Sequence, residues 1–102
     1  MLFKCRIQTT KKQFTNNSKT IEMATHELKT WSEYYTNILL GEKTFEVRKN
    51  DRDFQKGDIL ILKEWNNEIN EYTGKSIVRT VGYILHGGQF GIEDGYCVMQ
   101  LN

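Results

Sequence analysis

The order of apolar and polar residues predicts one short amphipathic helix in the first half of the chain. Apolar and aromatic residues recur at the spacing of a single helical face, at Trp31, Tyr34, Tyr35, Ile38 and Leu39. Thr30 stands where an N-cap is expected, and Glu33 three positions later completes a capping box. Gly41 follows the last apolar position and can adopt the left-handed conformation that ends a helix. The pattern predicts a helix over about residues 31–40, with its aromatic stripe packed in the core.

The rest of the chain has the alternation and the β-branched residues that are typical of strands. The segment 59–65 is apolar on both faces, which indicates a strand covered on both sides. Gly82 interrupts a long apolar run and indicates a bulge or a barrel bend. The predicted strands are 26–29, 43–48, 59–65, 76–86 and 96–101. One helix among mostly antiparallel strands predicts a mainly β (α+β) fold, a small barrel of about five to six strands decorated by a helix.

Charge divides the chain into two unequal parts. Residues 1–22 hold five basic residues and one acidic residue without periodicity, which favours a disordered basic tail. Met23 would serve as the start of the folded part, so the domain is predicted over residues 23–102. This part holds nine basic and twelve acidic residues. A mildly acidic body is not typical of a general duplex binder, because such a protein must neutralise many phosphates.

Several function classes lack their sequence signals. No apolar run is long enough to span a membrane, and the N-terminus has no secretory signal, so a cytoplasmic protein without a membrane partner is expected. His26 and His86 form no spaced pair, so neither a metal site nor a cofactor is expected. Cys5 and Cys97 lie far apart and are expected to be free thiols, with Cys97 buried and unreactive. Nothing indicates an oligomer, and a monomer is the default expectation.

The densest group of functional side chains lies at residues 41–48, which read Gly-Glu-Lys-Thr-Phe-Glu-Val-Arg. Alternation places Phe45 and Val47 on one strand face, as its anchors, and Glu46 and Arg48 on the other. One interpretation is an edge strand with a solvated, ion-paired face. The other is a site where a cation, a carboxylate and a guanidinium converge on a polar ligand. An arginine offers a planar fork for a phosphate or a base edge.

The same residues resemble the G-x-K-x-x-E-x-R signature of the ASCH domain, a branch of the PUA-like superfamily. The similarity extends to the predicted helix and to residues 26–31, 48–54, 57–60, 83–91 and 95–96, and it covers about residues 24–101. Within that superfamily the chain resembles a small bacterial and phage family of unknown function. The resemblance implies a PUA-like β pseudo-barrel with a cleft between the helix and the barrel.

The resemblance also implies a ligand class and a set of site residues. PUA-like relatives bind RNA, modified bases or nucleotides, so the chain is expected to bind RNA or a nucleotide-like small molecule. A base can be held by stacking on an aromatic side chain. Carried over position by position, the site residues are Lys43, Glu46 and Arg48, with Lys29 as a fourth member. Independently of the resemblance, Trp31 or Phe90 is the aromatic side chain expected to stack on a base.

Two alternative functions remain open from the sequence. Some compact ASCH proteins resemble amidohydrolases that act on N4-acylated cytidine-type substrates, and Lys43 and Glu46 would then be catalytic. The sequence departs from that pattern, because Glu46 stands where such enzymes carry threonine. The helical insertion that carries their catalytic glutamate also has no counterpart between Gly74 and Gly95, which makes an enzyme the weaker hypothesis. The second alternative is a phage-related accessory or protein-interaction domain.

Overall fold

Six strands and one helix make up the part of the chain that the structure describes. This computed structural model describes residues 10–16 and 19–102. In chain order the elements are β1 (Thr10–Asn16), β2 (Lys19–Trp31), α1 (Ser32–Leu39), β3 (Phe45–Lys49), β4 (Ile59–Asn66), β5 (Glu71–His86) and β6 (Tyr96–Leu101). Within these residues no helix is long and apolar enough to cross a membrane.

The strands form one sheet in the order β1-β2-β4-β5-β6-β3. Four neighbouring pairs are antiparallel, and one pair, β2 with β4, is parallel. β2 and β4 can run parallel because α1 and β3 intervene between them and form the crossover that parallel strands need. The prediction of a mainly β fold, with five to six mostly antiparallel strands and one main helix, is confirmed.

β5 bends the sheet close to Gly82. Its first half pairs with β4 and its second half with β6, and the register with β6 shifts between Val81 and Ile84. The side-chain oxygen of Gln100 accepts a hydrogen bond from the backbone N–H of Tyr83 at 3.0 Å. This bond satisfies a backbone donor next to the shift. The bulge predicted from Gly82 is therefore confirmed.

The curled sheet does not close into a barrel. β3 pairs with β6 on one side, and in the described residues no strand pairing joins β3 to β2. The two strands nevertheless come close, because Nη2 of Arg48 in β3 donates a hydrogen bond to the backbone oxygen of Lys29 in β2 at 2.6 Å. The barrel expected from the sequence is thus an open sheet in which β3, at one end, approaches β2, the second strand from the other end.

The core lies where α1 packs on β2 and β4. Leu60 and Leu62 of β4 are fully buried, whereas Ile59 and Ile61 on its other face are half-buried. The strand predicted to be covered on both sides is therefore covered mainly on one. The core also contains Leu28, Tyr35, Ile38, Phe54, Ile77, Val81, Cys97, Met99 and Leu101.

The helix begins differently from the prediction. Thr30 remains in β2, where it is buried, and Trp31 takes the N-cap position without a side-chain hydrogen bond to the helix. The capping box predicted from Thr30 and Glu33 is wrong, because Thr30 continues the parallel pairing with β4. Gly41 follows the helix with a φ of 80°, the left-handed conformation predicted for it.

Only part of the aromatic stripe packs in the core. Tyr35 and Ile38 are buried. Trp31 and Tyr34 are 48% and 44% exposed, and Leu39 is 61% exposed. Trp31 follows the buried Thr30 along β2 and therefore lies on the opposite face of that strand. The prediction that the whole stripe packs in the core is wrong for these residues, and two aromatic side chains remain at the surface.

A buried hydrogen-bonded pair connects β2 to the turn before β4. His26 and Asp58 are both fully buried, and Nε2 of His26 lies 2.7 Å from Oδ2 of Asp58. Asp58 also accepts hydrogen bonds from the backbone N–H groups of Ala24 and Gln55, each at 3.0 Å. Desolvation by burial acts to raise the pKa of Asp58, but these hydrogen bonds outweigh it and hold the pKa below its ordinary value. The sequence pattern gave no indication of this pair.

Cys97 is a buried free thiol, as predicted. Burial raises the pKa of Cys97, which reduces the thiolate fraction and therefore the reactivity. Cys5 lies outside the described residues.

The N-terminal segment contributes β1 and the beginning of β2. Residues 1–9 and 17–18 of the predicted tail lie outside the described residues. The rest of that segment forms an antiparallel hairpin, in which Thr10–Asn16 pairs with Lys19–Thr25. The pairing of β2 with β4 begins only at Thr25. The independence of residues 23–102 from this segment stays a prediction.

Deletion of residues 1–22 is expected to leave the fold of residues 23–102 intact. Every pairing of β2 with β4 lies beyond this segment, and so do the buried side chains from Ala24 onward. We expect the melting temperature, measured by circular dichroism, to stay within a few degrees of that of the full chain. A large loss of thermal stability would show that the β1–β2 hairpin is part of the folding unit.

Asp58→Ala is expected to lower the free energy of unfolding by about 3–5 kcal/mol, because it removes one partner from a buried pair. Since folding lowers the pKa of Asp58, its stabilising effect is complete above its unfolded pKa of about 3.9 and is lost as the pH falls through the lower folded value. Urea unfolding at a series of pH values from neutral to acidic measures how the free energy of unfolding depends on pH. The variant should lose less stability in acid than the wild type, and the exposed Asp51→Ala should match the wild type. An equal acid dependence in Asp58→Ala and the wild type would contradict the assignment.

Candidate functional site

The candidate site lies where β2 and β3 face each other without strand pairing. β1 pairs with β2 only as far as Thr25, and β4 pairs with β2 from Thr25 onward. Beyond that residue, arginine side chains bond two backbone carbonyls of β2. Nη1 of Arg52 donates to the oxygen of Glu27 at 2.8 Å. Nη2 of Arg48 donates to the oxygen of Lys29 at 2.6 Å. We call the gap between this edge of β2 and β3 the seam.

A cleft with a volume of about 640 Å³ opens in the seam. Small-molecule sites commonly have volumes of about 300–1,000 Å³. The walls of the cleft come from the end of β2, α1, β3 with the segment before it, and the start of β6. The lining residues are Lys29, Thr30, Trp31, Tyr34, Lys43, Glu46, Val47, Arg48, Lys49 and Tyr96. They include five of the six site residues predicted from the sequence.

β3 turns a charged residue inward and its apolar residues outward. Glu46 is only 5% exposed, whereas Phe45 and Val47 are 46% and 50% exposed. The predicted alternation is present, but the expectation that Phe45 and Val47 anchor the strand is wrong. β3 is the edge strand that borders the cleft, and a carboxylate can be buried there because two cations compensate its charge.

Glu46 is held between Lys43 and Arg48. Nζ of Lys43 donates to Oε1 of Glu46 at 3.0 Å, and Nε of Arg48 donates to Oε2 at 2.6 Å. The ammonium group of Lys43 also donates to the backbone oxygen of Phe45 at 2.7 Å. The structure therefore brings together the three charged residues of the motif. Because both oxygens of Glu46 bond cations, this carboxylate orients Lys43 and Arg48.

The cleft has an excess of positive charge. Among the described residues, its lining holds the cations Lys29, Lys43, Arg48 and Lys49 and one carboxylate, Glu46. Arg48 uses Nε and Nη2 in the hydrogen bonds described above, and its Nη1 has no acceptor among the described residues. A guanidinium held in this way can offer its remaining N–H donors to a phosphate or a carboxylate.

Trp31 and Tyr34 form an aromatic wall of the cleft. Their rings are stacked, with centroids 6.4 Å apart and planes 17° from parallel. Nζ of Lys43 lies 5.8 Å from the centroid of the Tyr34 ring, so the aromatic wall adjoins the charged cluster. Proteins that bind single-stranded nucleic acids combine aromatic planes with cations in this manner. The part of the helical stripe that the core does not use is available for such stacking.

Phe90 is not brought to the cleft. It is 83% exposed in the loop between β5 and β6, and it is absent from the lining described above. Backbone hydrogen bonds within the loop, from Gly88 to Ile92 and from Ile92 to Gln89, hold its shape. The expectation that Phe90 stacks on a ligand in the same site as Trp31 is therefore corrected.

Five lining residues were not among the predicted site residues: Thr30, Tyr34, Val47, Lys49 and Tyr96. Tyr34 could have been proposed as the neighbour of Trp31 on the helical stripe. Lys49 and Tyr96 meet because they are direct partners in the pairing of β3 with β6. No local pattern indicates a pairing between segments so far apart in the sequence.

Thr30 contributes a hydroxyl group without a hydrogen-bond partner. The residue lines the cleft and is only 3% exposed. Its Oγ1 has no partner among the described residues. An unpaired buried hydroxyl costs about 1–3 kcal/mol, so the fold keeps a polar group beside the cleft at the expense of stability.

The described residues contain no group of three or more His, Cys, Asp or Glu side chains that could hold a metal ion. The described lining of the cleft offers hydrogen-bond donors, aromatic planes and one compensated carboxylate. Such a donor set suits an organic anion.

Fold and site together define a small, mainly β protein with a cationic and aromatic cleft at an unpaired sheet edge. Residues 25–101 match the family described as "Domain of unknown function (DUF3850)". This match covers most of the chain, so the chain belongs to that family.

A relative from Escherichia phage P2 is also similar to this chain. It is the "Uncharacterized 12.9 kDa protein in GpA 3'region", 40% identical over 52 residues. The aligned segment covers 51% of this chain and 46% of the phage protein, so the chain matches about half the length of that relative. The predicted resemblance to a small family of unknown function, with a phage relative, is confirmed.

Thr30→Val is expected to raise the free energy of unfolding by about 1 kcal/mol or more, because it replaces an unpaired buried hydroxyl with a methyl group of similar size. Urea denaturation of the ligand-free protein measures the change. Thr44→Val, at an exposed position before β3, is the control and should have little effect. A lower stability of Thr30→Val would show that the hydroxyl makes a hydrogen bond in solution.

Proposed function

We propose that this protein is a binding module for RNA or a nucleotide-like small molecule, which it binds in the seam cleft. The observation that carries the proposal is the charged cluster of Lys43, Glu46 and Arg48 beside the stacked rings of Trp31 and Tyr34. A nucleotide combines a planar base with an anionic phosphate. The cleft offers an aromatic plane and a group of cations in adjoining positions, which matches both parts.

Arg48 is the residue proposed to contact the phosphate or a base edge. Glu46 and the Lys29 carbonyl hold its guanidinium from two sides, so its orientation is set before a ligand arrives. A charge-assisted hydrogen bond from this group contributes about 1.5–3 kcal/mol. Stacking of a base on an aromatic side chain contributes about 1–3 kcal/mol. Charge and stacking are therefore of similar importance, and the ligand should need both a planar ring and an anionic group.

The distribution of charge favours a ligand that contacts the protein at one place over a ligand that contacts an extended surface. Residues 23–102 hold nine basic and twelve acidic residues, yet the cleft has four cations and one carboxylate. A duplex binder needs many phosphate contacts spread over a surface. A single cationic cluster with aromatic rings instead favours a monomeric or single-stranded ligand.

The proposal includes the assignment of the chain to the ASCH branch of the PUA-like superfamily. Residues 41–48 carry the G-x-K-x-x-E-x-R signature. Its Lys43, Glu46 and Arg48 line a cleft beside the helix, at the open side of a curled sheet. This geometry supports the assignment, because the signature residues of ASCH domains are expected to line such a cleft.

The amidohydrolase alternative gains no support from the geometry of Glu46. A general base needs a carboxylate oxygen within reach of the proton that it removes, and both oxygens of Glu46 bond cations. The similarity to a phage protein supports a phage-related accessory role. That role concerns the biological context and is compatible with ligand binding in the cleft.

Arg48→Ala is expected to weaken binding of ribonucleoside monophosphates by roughly tenfold or more, the effect of losing charge-assisted hydrogen bonds. The melting temperature should change by only a few degrees, because Lys43 still compensates Glu46. Titrations followed by amide chemical shifts measure the dissociation constant. In the wild type, the amide chemical shifts of Lys43, Glu46 and Arg48 should change when the nucleotide is added.

Arg79→Ala is the matched control, because Arg79 lies on β5 and its described hydrogen bond goes only to the backbone of Val78. It removes the same charge but should leave binding unchanged. If millimolar nucleotide changes no amide chemical shift around the cleft of the wild type, the proposed function is refuted. A collapse of the fold in Arg48→Ala would instead assign Arg48 a structural role.

A further inference from the structure

Three aromatic residues stand in register across three neighbouring strands. Trp31 in β2 pairs with Trp65 in β4, and Trp65 pairs with Tyr72 in β5. The rings of Trp65 and Tyr72 are in contact, edge to face, with centroids 4.9 Å apart. We call Trp31, Trp65 and Tyr72 the aromatic row.

The aromatic row lies on the outer face of the sheet. Leu28 and Thr30 of β2 are buried, so the alternate residue Trp31 lies on the opposite face of the strand. Trp31 and Tyr72 are each 48% exposed. Because cross-strand partners share one face of a sheet, the three rings lie on the same surface.

Lysine side chains lie over two of these rings. Nζ of Lys29 is 3.8 Å from the centroid of the Trp65 ring, and Nζ of Lys63 is 4.9 Å from that of Tyr72. Lys63 also forms an exposed ion pair with Glu27 at 3.4 Å. Exposed ion pairs contribute little, so this pair does not prevent Lys63 from reaching an anion.

The aromatic row continues the cleft. Lys29 and Trp31 line the cleft, and they also belong to the surface that leads to Trp65 and Tyr72. Strands in a sheet lie about 4.8 Å apart, so the row extends roughly 10 Å beyond the cleft. With one base stacked on each ring, the two rings beyond Trp31 correspond to about two further nucleotides.

We infer that the aromatic row binds the nucleotides next to the one in the cleft, and that the ligand is a single-stranded oligonucleotide. This inference rests on the proposed function, because the cleft supplies the first nucleotide. Aromatic rings interspersed with cations are the arrangement by which proteins bind single strands. The lysine side chains are long and exposed, so their ammonium groups can move from the rings to backbone phosphates while bases stack on the aromatic row.

A length series of fluorescently labelled RNA tests this inference. The series runs from the mononucleotide to an octanucleotide of uridine, with competition by unlabelled uridine monophosphate, at one fixed salt concentration. Affinity should rise about tenfold or more from one to about three nucleotides and then level off. Tyr72→Ala should weaken binding of the tetranucleotide about fivefold or more, the effect of losing one stacked base. It should leave binding of the mononucleotide unchanged.

Tyr83→Ala is the matched control, because Tyr83 is an exposed tyrosine on the same strand beyond the bend at Gly82. This variant should bind RNA of every length in the series with the affinity of the wild type. Equal affinities for the mononucleotide and the tetranucleotide, or equal behaviour of the two tyrosine variants, would overturn the inference. So would failure of every oligonucleotide to bind.

The two proposals can fail separately. If the mononucleotide binds and Arg48→Ala abolishes its binding, but length has no effect, the inference about the aromatic row is wrong and the proposed function stands. If oligonucleotides bind and Tyr72→Ala weakens them while Arg48→Ala does not, the aromatic row is supported and the function proposed for the cleft is wrong.

Discussion

The cleft depends on an edge of β2 beside which the described part of the chain places no strand. Backbone carbonyls at a strand edge need hydrogen-bond donors, and an adjacent strand normally supplies them. Here Arg48 and Arg52 supply donors to the carbonyls of Lys29 and Glu27. A side chain can satisfy a carbonyl without placing a second backbone beside it. The sheet therefore stays open at this edge while β3 remains bonded to β2, and that opening is the cleft.

Two buried carboxylates hold the two walls of the cleft in different ways. Asp58 is fully buried and bonds His26 and two backbone amides, so it fixes β2 to the turn before β4. Glu46 bonds Lys43 and Arg48, whose side chains are 18% and 26% exposed. The first carboxylate is enclosed by the protein and serves the fold. The second holds cations that still reach solvent at the candidate site.

Local sequence signals predicted the features that depend on neighbouring residues. Gly41 marked the end of the helix, Gly82 marked the bulge, and the spacing of Lys43, Glu46 and Arg48 marked the charged cluster. Local signals could not predict which face of β3 points into the protein. Alternation separates Glu46 from Val47, but only the curl of the whole sheet decides which of them is buried.

Features that join distant segments were also beyond local patterns. His26 and Asp58 are 32 residues apart, and each by itself is an ordinary polar residue. Thr30 looked like a helix cap because Glu33 has the spacing of a capping box. The parallel pairing with β4 keeps Thr30 in the strand, so a tertiary contact overrides the local preference. The same pairing directs Trp31 away from the core, so that of its two predicted places, in the core stripe and in the candidate site, the second is the one that fits the structure.

The position of Arg48 has a consequence for the thermodynamics of binding. In most sites a long side chain loses rotamer freedom when the ligand arrives, at a cost of about 0.5–1.5 kcal/mol for each side chain. The bonds of Arg48 to Glu46 and to the Lys29 carbonyl already restrict its guanidinium in the free protein. That entropy is lost during folding, so a ligand bound as proposed would meet a pre-organised donor. Binding to this cleft should then have a smaller entropic penalty than binding to a mobile arginine at an open surface.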